Sequence, residues 1–181
     1  FSKAEENEIN DPNAVAVATS DKNNQPNVRM VLLKGLSDRG FVFYTNFNSK
    51  KGGELKDNQK SSMCFHWKSL RRQVRVLGKV EEVTSKEADN YYNSRPYKNR
   101  ISAWASSQSQ ILDKRETFLD KIKEFEKKYP DQDNVPRPPH WSGWRLLPEE
   151  IEFWVDGEGR IHERLNYKKN KEEWNKEILY P

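Results

Sequence analysis

The sequence predicts a mostly β domain with helical insertions, an α+β chain whose strands close into an antiparallel barrel. Three observations point there. Short β-branched and apolar runs, separated by turn residues, recur from Ala14 to Val83 and again from Trp144 to Tyr167. Sequential strands lie close enough along the chain to pair with their neighbours, as in a meander. No Gly-rich dinucleotide fingerprint or Walker loop argues for a doubly wound sheet.

Ala14 to Thr19 reads as the first strand and Val28 to Leu36 as the second, with the polar turn Ser20 to Asn27 between them. Asp38-Arg39-Gly40 turns the chain into a third strand, Phe41 to Thr45. Asn48 or Ser49 then caps a short helix through Asp57, which Gly52 and Gly53 weaken. Ser62 to Trp67 and Gln73 to Val83 are two further antiparallel strands. Thr84 and Glu87 form a capping box, so a helix runs from Ser85 to Asn93 and ends near Pro96. A short helical stretch covers Arg100 to Ala105, and Ser106 to Gln110 is a loop. Asp113 and Glu116 open the clearest helix, with Phe118, Ile122, Phe125 and Tyr129 on one stripe. The four prolines between Pro130 and Pro139 mark a linker passing over the surface. Strands return at Trp144 to Leu147, Ile151 to Val155 and Arg160 to Tyr167. The expectation is one domain over residues 1–181, with helical insertions at about 85–129.

Composition bounds the function. Apolar residues are 34% and charged residues 33% of the 181 residues, and mean hydropathy is −1.09. Six Trp, seven Tyr and a net charge of only +4 separate the chain from disordered sequences. Apolar runs such as Met30 to Leu33 are too short to span a membrane as a helix. No basic-then-apolar leader opens the chain, and Phe1 reads as a trimmed start. A single cysteine, Cys64 in the run Met63-Cys64-Phe65, excludes an internal disulfide, reads as a buried structural thiol and fits a reducing, cytoplasmic setting. His66, His140 and His162 lack ligand spacing, so no metal is expected.

Charge is uneven. Between Arg29 and Arg75, 11 basic residues face only Asp38, Glu54 and Asp57. Such a block can be a nucleic-acid footprint, a phosphate-ligand site or a solvated face. Alternation places Arg29, Val31 and Leu33 on one face of the second strand and Met30, Leu32 and Lys34 on the other. Lys50 and Lys51 stand at a helix start, where backbone N–H groups favour an anion. Arg71, Gln73 and Arg75 line one face of a strand, as do Arg160, His162 and Arg164. Tyr91 and Arg95 lie four apart on one helical face. Cations delivered by separate elements suit a phosphorylated small molecule better than nucleic acid, which favours a continuous basic stripe with exposed aromatics.

In order along the chain stand Arg29-Met30-Val31-Leu32-Leu33-Lys34, Phe43-Tyr44-Thr45-Asn46, Arg72-Gln73-Val74-Arg75-Val76, Ser94-Arg95-Pro96, Gln108-Ser109, Glu152-Phe153-Trp154 and Arg160-Ile161-His162-Glu163-Arg164. Together, from about Asp11 to Pro181, these segments resemble the pyridoxamine/pyridoxine 5′-phosphate oxidase family. The resemblance implies an antiparallel FMN-binding split β-barrel that acts as a homodimer with two sites at the subunit interface. It implies oxidation of pyridoxamine or pyridoxine 5′-phosphate to pyridoxal 5′-phosphate, with O2 as acceptor giving H2O2, and no role for nucleic acid or membrane.

Carried over by motif, Arg29, Met30, Val31, Leu32, Tyr44, Thr45, Lys50, Lys51, Gln73, Gln108, Ser109, Trp154 and Arg164 would contact FMN. Lys34, Tyr91, Arg95 and Asn99 would hold substrate, the first three by its phosphate. Arg160, Ile161 and His162 would lie over its ring, with Arg160 and His162 the catalytic pair. Two phosphates, one per ligand, would account for the separate cation clusters. The chain departs from the family at Lys50 (usually Arg), Asn99 (usually Ser), Ile161 and Glu163 (commonly Leu and Asp) and in its terminal Ile178-Leu179-Tyr180-Pro181 (usually Arg-Leu-Ala-Pro). It also starts later than family members do, so a preceding segment is expected to be missing. Two rival readings are a related split-barrel flavin reductase and a non-enzymatic binder of a phosphate ligand or RNA. Tyr91, Arg95, Arg160 and His162 separate the oxidase from the reductase, because they concern substrate and not cofactor.

Overall fold

The computed structural model describes residues 1–181. Contacts group them into two compact units, the first made of Phe1–Phe43, Glu54–Glu81 and Arg145–Pro181, the second of Tyr44–Gly53 and Glu82–Trp144.

The first unit is built on antiparallel strands: β1 (Ala14–Ser20), β2 (Pro26–Leu32), β3 (Gly35–Ser37), β4 (Gly40–Asn46), β5 (Lys60–Trp67), β6 (Arg72–Glu82), β7 (Trp141–Val155), β8 (Glu163–Asn170) and β9 (Glu173–Ile178). The sheet order is β2-β1-β5-β6-β7-β4-β3, with β8 on β7 and β9 on β8. Period-two burial makes the core. Val15, Val17 and Thr19 point inward from β1, and Ser61, Met63, Phe65 and Trp67 from β5.

The expected second strand, Val28 to Leu36, divides because its partner changes. β2 ends where Leu32 meets Ala14, the first residue of β1. Leu33 then donates to the Asn13 carbonyl and Lys34 to that of Val42, and Gly35 opens β3 against Val42. The two strands expected at 144–147 and 151–155 are instead the single β7. Pro148 lies inside it, beside Gly78 of β6, where a Cβ would meet the Leu147 carbonyl at 1.9 Å. A helix, α1 (Ser2–Asn7), and β9 were not anticipated: α1 buries only Ala4, and β9 is exposed throughout, so neither leaves a periodic apolar pattern. Cys64 is half-buried, not enclosed, because it points away from the Met63 and Phe65 face. Burial still pushes its thiol up against the opposing charge of Arg75, which keeps it protonated.

Two carboxylates are buried in this unit, each 5% exposed. Glu54 accepts from Thr19 Oγ1 (2.5 Å), Asn27 Nδ2 (3.1 Å) and Arg29 Nη2 (3.0 Å). Glu152 lies between Arg75 Nη1 (3.0 Å) and Arg164 Nε (2.8 Å). Burial alone would push Glu54 up, but the bonds from Thr19 and Asn27 and the charge of Arg29 outweigh it, leaving its carboxyl below the ordinary 4.5. The bond from Arg164 does the same for Glu152.

α2 (Lys50–Asp57), of which Lys50 to Gly53 belong to the second unit, begins after a turn in which Ser49 Oγ accepts from the Gly52 N–H, so Ser49 is the cap. The capping box forms as expected: Thr84 and Glu87 bond reciprocally at the start of α3 (Ser85–Asn93). The next helix, α4 (Tyr97–Ala105), is longer than expected, and α5 (Arg115–Lys128) begins after Lys114. The α5 stripe is half-buried, with Phe125 stacked on Trp104 of α4 at 5.6 Å. The Pro-rich stretch does not merely cross the surface. Val135 is 2% exposed, and Trp104 Nε1 and Arg100 Nη2 bind the carbonyls of Pro136 and Gln132. Side-chain donors thus satisfy a backbone that has no ladder partner.

A Cβ on Gly52 would lie 2.3 Å from the Phe47 carbonyl oxygen, whereas one on Gly53 meets nothing within 4 Å. Gly53→Ala should therefore stabilise the protein by about 0.5–1 kcal/mol and Gly52→Ala should destabilise it by about 1–3 kcal/mol, as read from denaturant unfolding. Because Glu54 and Glu152 titrate below their unfolded value, their contribution is present above that value and lost as pH falls through the folded one. Wild type should lose stability from about pH 6 to about pH 3, and Glu152→Gln should lose less over the same interval.

Candidate functional site

In the first unit, Arg29 and Val31 lie on the half-buried face of β2, while Met30 and Leu32 are 63% and 39% exposed. The expected alternation holds to Leu32 and then fails, since Leu33 and Lys34 follow the end of the strand. The Arg29 guanidinium is fixed by Val17 O (3.2 Å), Thr19 Oγ1 (2.5 Å) and Glu54. Lys34 carries an exposed side chain. Gln73 is half-buried on β6 opposite His66. Arg71 does not share the face of Gln73 and Arg75, because it precedes β6 in a left-handed turn with φ 51°.

Trp154 on β7 and Arg164 on β8 are direct cross-strand partners. Arg164 is held twice, by Glu152 and by the Tyr180 carbonyl at 3.0 Å from Nη1, while the Leu179 N–H returns to the Arg164 carbonyl. The terminal departure from the family pattern therefore leaves a backbone contact to Arg164 in place. Arg160, His162 and Arg164 do not alternate on one strand. Glu158–Arg160 form a 3₁₀ turn, Ile161 and His162 precede β8, and only Arg164 belongs to a strand. The cause is the Gly157-Glu158-Gly159 loop, which folds so tightly that a Cβ on Gly157 would meet the Ile161 carbonyl at 1.9 Å. Arg160 is left exposed at φ 65°, a left-handed conformation unusual for a non-glycine residue. Ile161 is 74% exposed. The His162 ring packs 4.6 Å from that of Trp154, and its Nδ1 lies 3.2 Å from Asp156 Oδ1.

In the second unit, Lys51 Nζ reaches Thr45 Oγ1 (2.6 Å), Gln108 Oε1 (3.1 Å) and Ser49 Oγ (3.4 Å). Lys50 is exposed on the same first turn of α2. The Ser106 carbonyl accepts from Asn46 Nδ2, which ties the loop bearing Gln108 and Ser109 to the end of β4; Ser109 itself stands at φ 69°. Tyr44, Tyr91 and Trp141 form a stack, with centroids 4.1 Å apart for Tyr44–Tyr91 and 5.3 Å for Tyr44–Trp141. Gly143 permits it, since a Cβ there would press on the Tyr44 ring at 2.8 Å.

Tyr91 and Arg95 do not share a helical face, because α3 ends at Asn93. Trp141 unites them instead: Tyr91 stacks on it at 6.1 Å, and the Arg95 guanidinium lies 4.8 Å over its ring. Arg95 Nη1 is buried without a hydrogen-bond partner. Burial pulls that guanidinium below its usual pKa, against the opposing pull of Tyr91 and Tyr92. Burial likewise pushes the Tyr92 hydroxyl up to about 12, and it donates to the Arg100 carbonyl as a fixed structural group. Asn99 is exposed on the first turn of α4.

Sequence reasoning missed Trp141, Glu152, Asp156 and Glu54 as supports of these residues. For Glu54 a signal existed, as one of three acids among 11 bases. For Glu152 and Asp156 the partner is remote or on another strand, and spacing alone carries no trace of it.

Residues 1–129 match the family model described as pyridoxamine 5′-phosphate oxidase, and residues 141–181 match that of the pyridoxine 5′-phosphate oxidase C-terminal dimerisation region. The chain is 59% identical over 182 residues to the pyridoxine/pyridoxamine 5′-phosphate oxidase of Pelagibacter ubique, covering all of this chain and 88% of that protein. It is 54% identical to the protein of the same name from Agrobacterium fabrum, covering 96% and 85%. Among solved structures it is similar to PhzG from Burkholderia lata 383 in complex with tetrahydrophenazine-1-carboxylic acid, with a TM-score of 0.91 at 28% identity over 99% of this chain and 87% of that one. A pyridoxamine 5′-phosphate oxidase-related, FMN binding protein from Nostoc punctiforme shares the split-barrel fold, with a TM-score of 0.75 at 19% identity over 93% and 88%. The strands, the motifs and these matches agree: the chain belongs to the pyridoxamine 5′-phosphate oxidase family.

Proposed function

We propose that this chain oxidises pyridoxamine or pyridoxine 5′-phosphate to pyridoxal 5′-phosphate, with FMN as cofactor and O2 as electron acceptor. The observation that carries the reading is Arg95, a desolvated guanidinium with an orphaned Nη1, stacked on Trp141 beside Tyr91. A buried cation without an anion is costly, and a phosphate ester supplies both the charge and the acceptor.

The donor set also fits a flavin phosphate. Lys51 is already aimed by Thr45 and Gln108, and Arg29 by Glu54. In this reading Arg29 to Leu32, Tyr44, Thr45, Lys50, Lys51, Gln73, Gln108, Ser109, Trp154 and Arg164 bind FMN. Lys34, Tyr91 and Arg95 take the substrate phosphate, Asn99 supports them, and Arg160, Ile161 and His162 orient the pyridine ring. The chemistry a bound flavin supplies is two-electron oxidation at substrate C4′, with O2 reduced to H2O2. The residues of this chain bind and orient; none is asked to act as an obligatory proton carrier.

A homodimer is supported by the match to the dimerisation region and by the apolar Val28, Met30 and Leu32 left exposed on β2. No helix is long and apolar enough to cross a membrane, and we place the protein in the cytoplasm.

Peroxide release tests the reading. Pyridoxine 5′-phosphate should be oxidised and unphosphorylated pyridoxine should be a poor substrate; equal rates would contradict the phosphate grip. Arg95→Ala should raise KM for the phosphorylated substrate by about 10- to 100-fold, as expected for loss of a charged hydrogen bond. FMN affinity, followed by flavin fluorescence, should stay unchanged in that variant.

A further inference from the structure

Asp156 follows β7 directly and is about four-fifths buried, its side chain 19% exposed. Its Oδ2 is ion-paired with Arg71 Nη2, and its backbone N–H donates to the Arg71 carbonyl at 3.0 Å. The turn before β6 thus anchors this residue at two points. Its other oxygen, Oδ1, faces His162 Nδ1 at 3.2 Å. The N–H of Gly157 reaches the same Nδ1, also at 3.2 Å.

One ring nitrogen cannot serve both neighbours. If Nδ1 carries the proton, it donates to Asp156 and Nε2 keeps a lone pair. If Nδ1 is bare, it accepts from Gly157 and the proton sits on Nε2. A carboxylate facing a bare lone pair is repelled, whereas an N–H to a carboxylate is charge-assisted and about twice as strong as a neutral pair. The Asp156 charge therefore selects Nδ1–H. Trp154 packs on the ring at 4.6 Å and limits its rotation, so tautomer and orientation are set together.

We infer that Asp156, anchored by Arg71, is a positioning residue for His162: it fixes the Nδ1–H tautomer and leaves Nε2 as an acceptor toward the substrate. The inference rests on the place given to His162 under the proposed function. Arg71 and Asp156 act here through His162.

The test uses the flavin-loaded, ¹⁵N-labelled protein, with His162→Ala identifying the His162 ring signals. In neutral wild-type His162 the proton should sit on Nδ1, and Asp156→Asn should shift it toward Nε2. In the same variant kcat/KM for pyridoxine 5′-phosphate should fall by about 10- to 100-fold, the scale of a misplaced group at a reacting centre. Its flavin spectrum and thermal midpoint should be those of wild type, which separates mispositioning from misfolding. An unmoved tautomer overturns the inference while His162→Ala still loses turnover, leaving the functional reading intact. A moved tautomer with wild-type kcat/KM also overturns it. Wild-type turnover in His162→Ala overturns the placement of His162 and this inference together.

Discussion

Glu152 sits 5% exposed between the guanidinium groups of Arg75 and Arg164. Removing a carboxylate from water costs several kcal/mol, and only close, well-aligned donors offset it. Both arginines are consequently committed to it, at 3.0 and 2.8 Å. Arg164 spends Nε on this contact and one Nη1 proton on the Tyr180 carbonyl, which fixes its guanidinium and leaves the other protons of its fork for further acceptors. Glu54 does the same for Arg29 from helix α2. In this chain cations are aimed by buried acids before any ligand arrives, and such preorganisation lowers the entropy cost of binding.

The second unit meets the same requirement without an acid. Arg95 is held by aromatic faces, Trp141 and Tyr92, which leave its hydrogen-bonding capacity unspent. Its charge is destabilised by burial and not neutralised by a partner. That difference fits the two roles proposed. A resident cofactor is served by residues fixed in an ion network, and a substrate that must bind and leave is served by a cation whose missing partner is the substrate itself. The modest net charge of +4 conceals this arrangement, in which Glu54, one of three acids in the basic block, is spent on Arg29.

Much of this was legible in the sequence. β1, β4 and β5 follow from short apolar and β-branched runs bounded by turn residues, and α3 from the Thr84/Glu87 box, because these signals are local. The motif residues were legible as a resemblance, one motif at a time. What failed depended on remote partners. The break after Leu32 is set by Asn13 and Val42, and the turn at Arg160 by a glycine loop that closes on Ile161. Trp141, the centre of the Tyr44–Tyr91–Arg95 cluster, adjoins a proline-rich stretch that reads as a linker until Val135 is seen to be buried. Glu152 and Asp156 gain their roles only through cross-strand register and a turn some 80 residues away, which no short window contains.

Whether buried acids hold the arginines proposed to bind FMN is tested most directly by FMN affinity in a double-mutant cycle. Apoprotein of the wild type, Glu152→Gln, Arg164→Ala and the double variant would be titrated with FMN and followed by quenching of flavin fluorescence. If Glu152 acts through Arg164, Glu152→Gln weakens binding, and the double variant binds no more weakly than Arg164→Ala alone. Additive losses, or wild-type affinity in Glu152→Gln, would contradict the account.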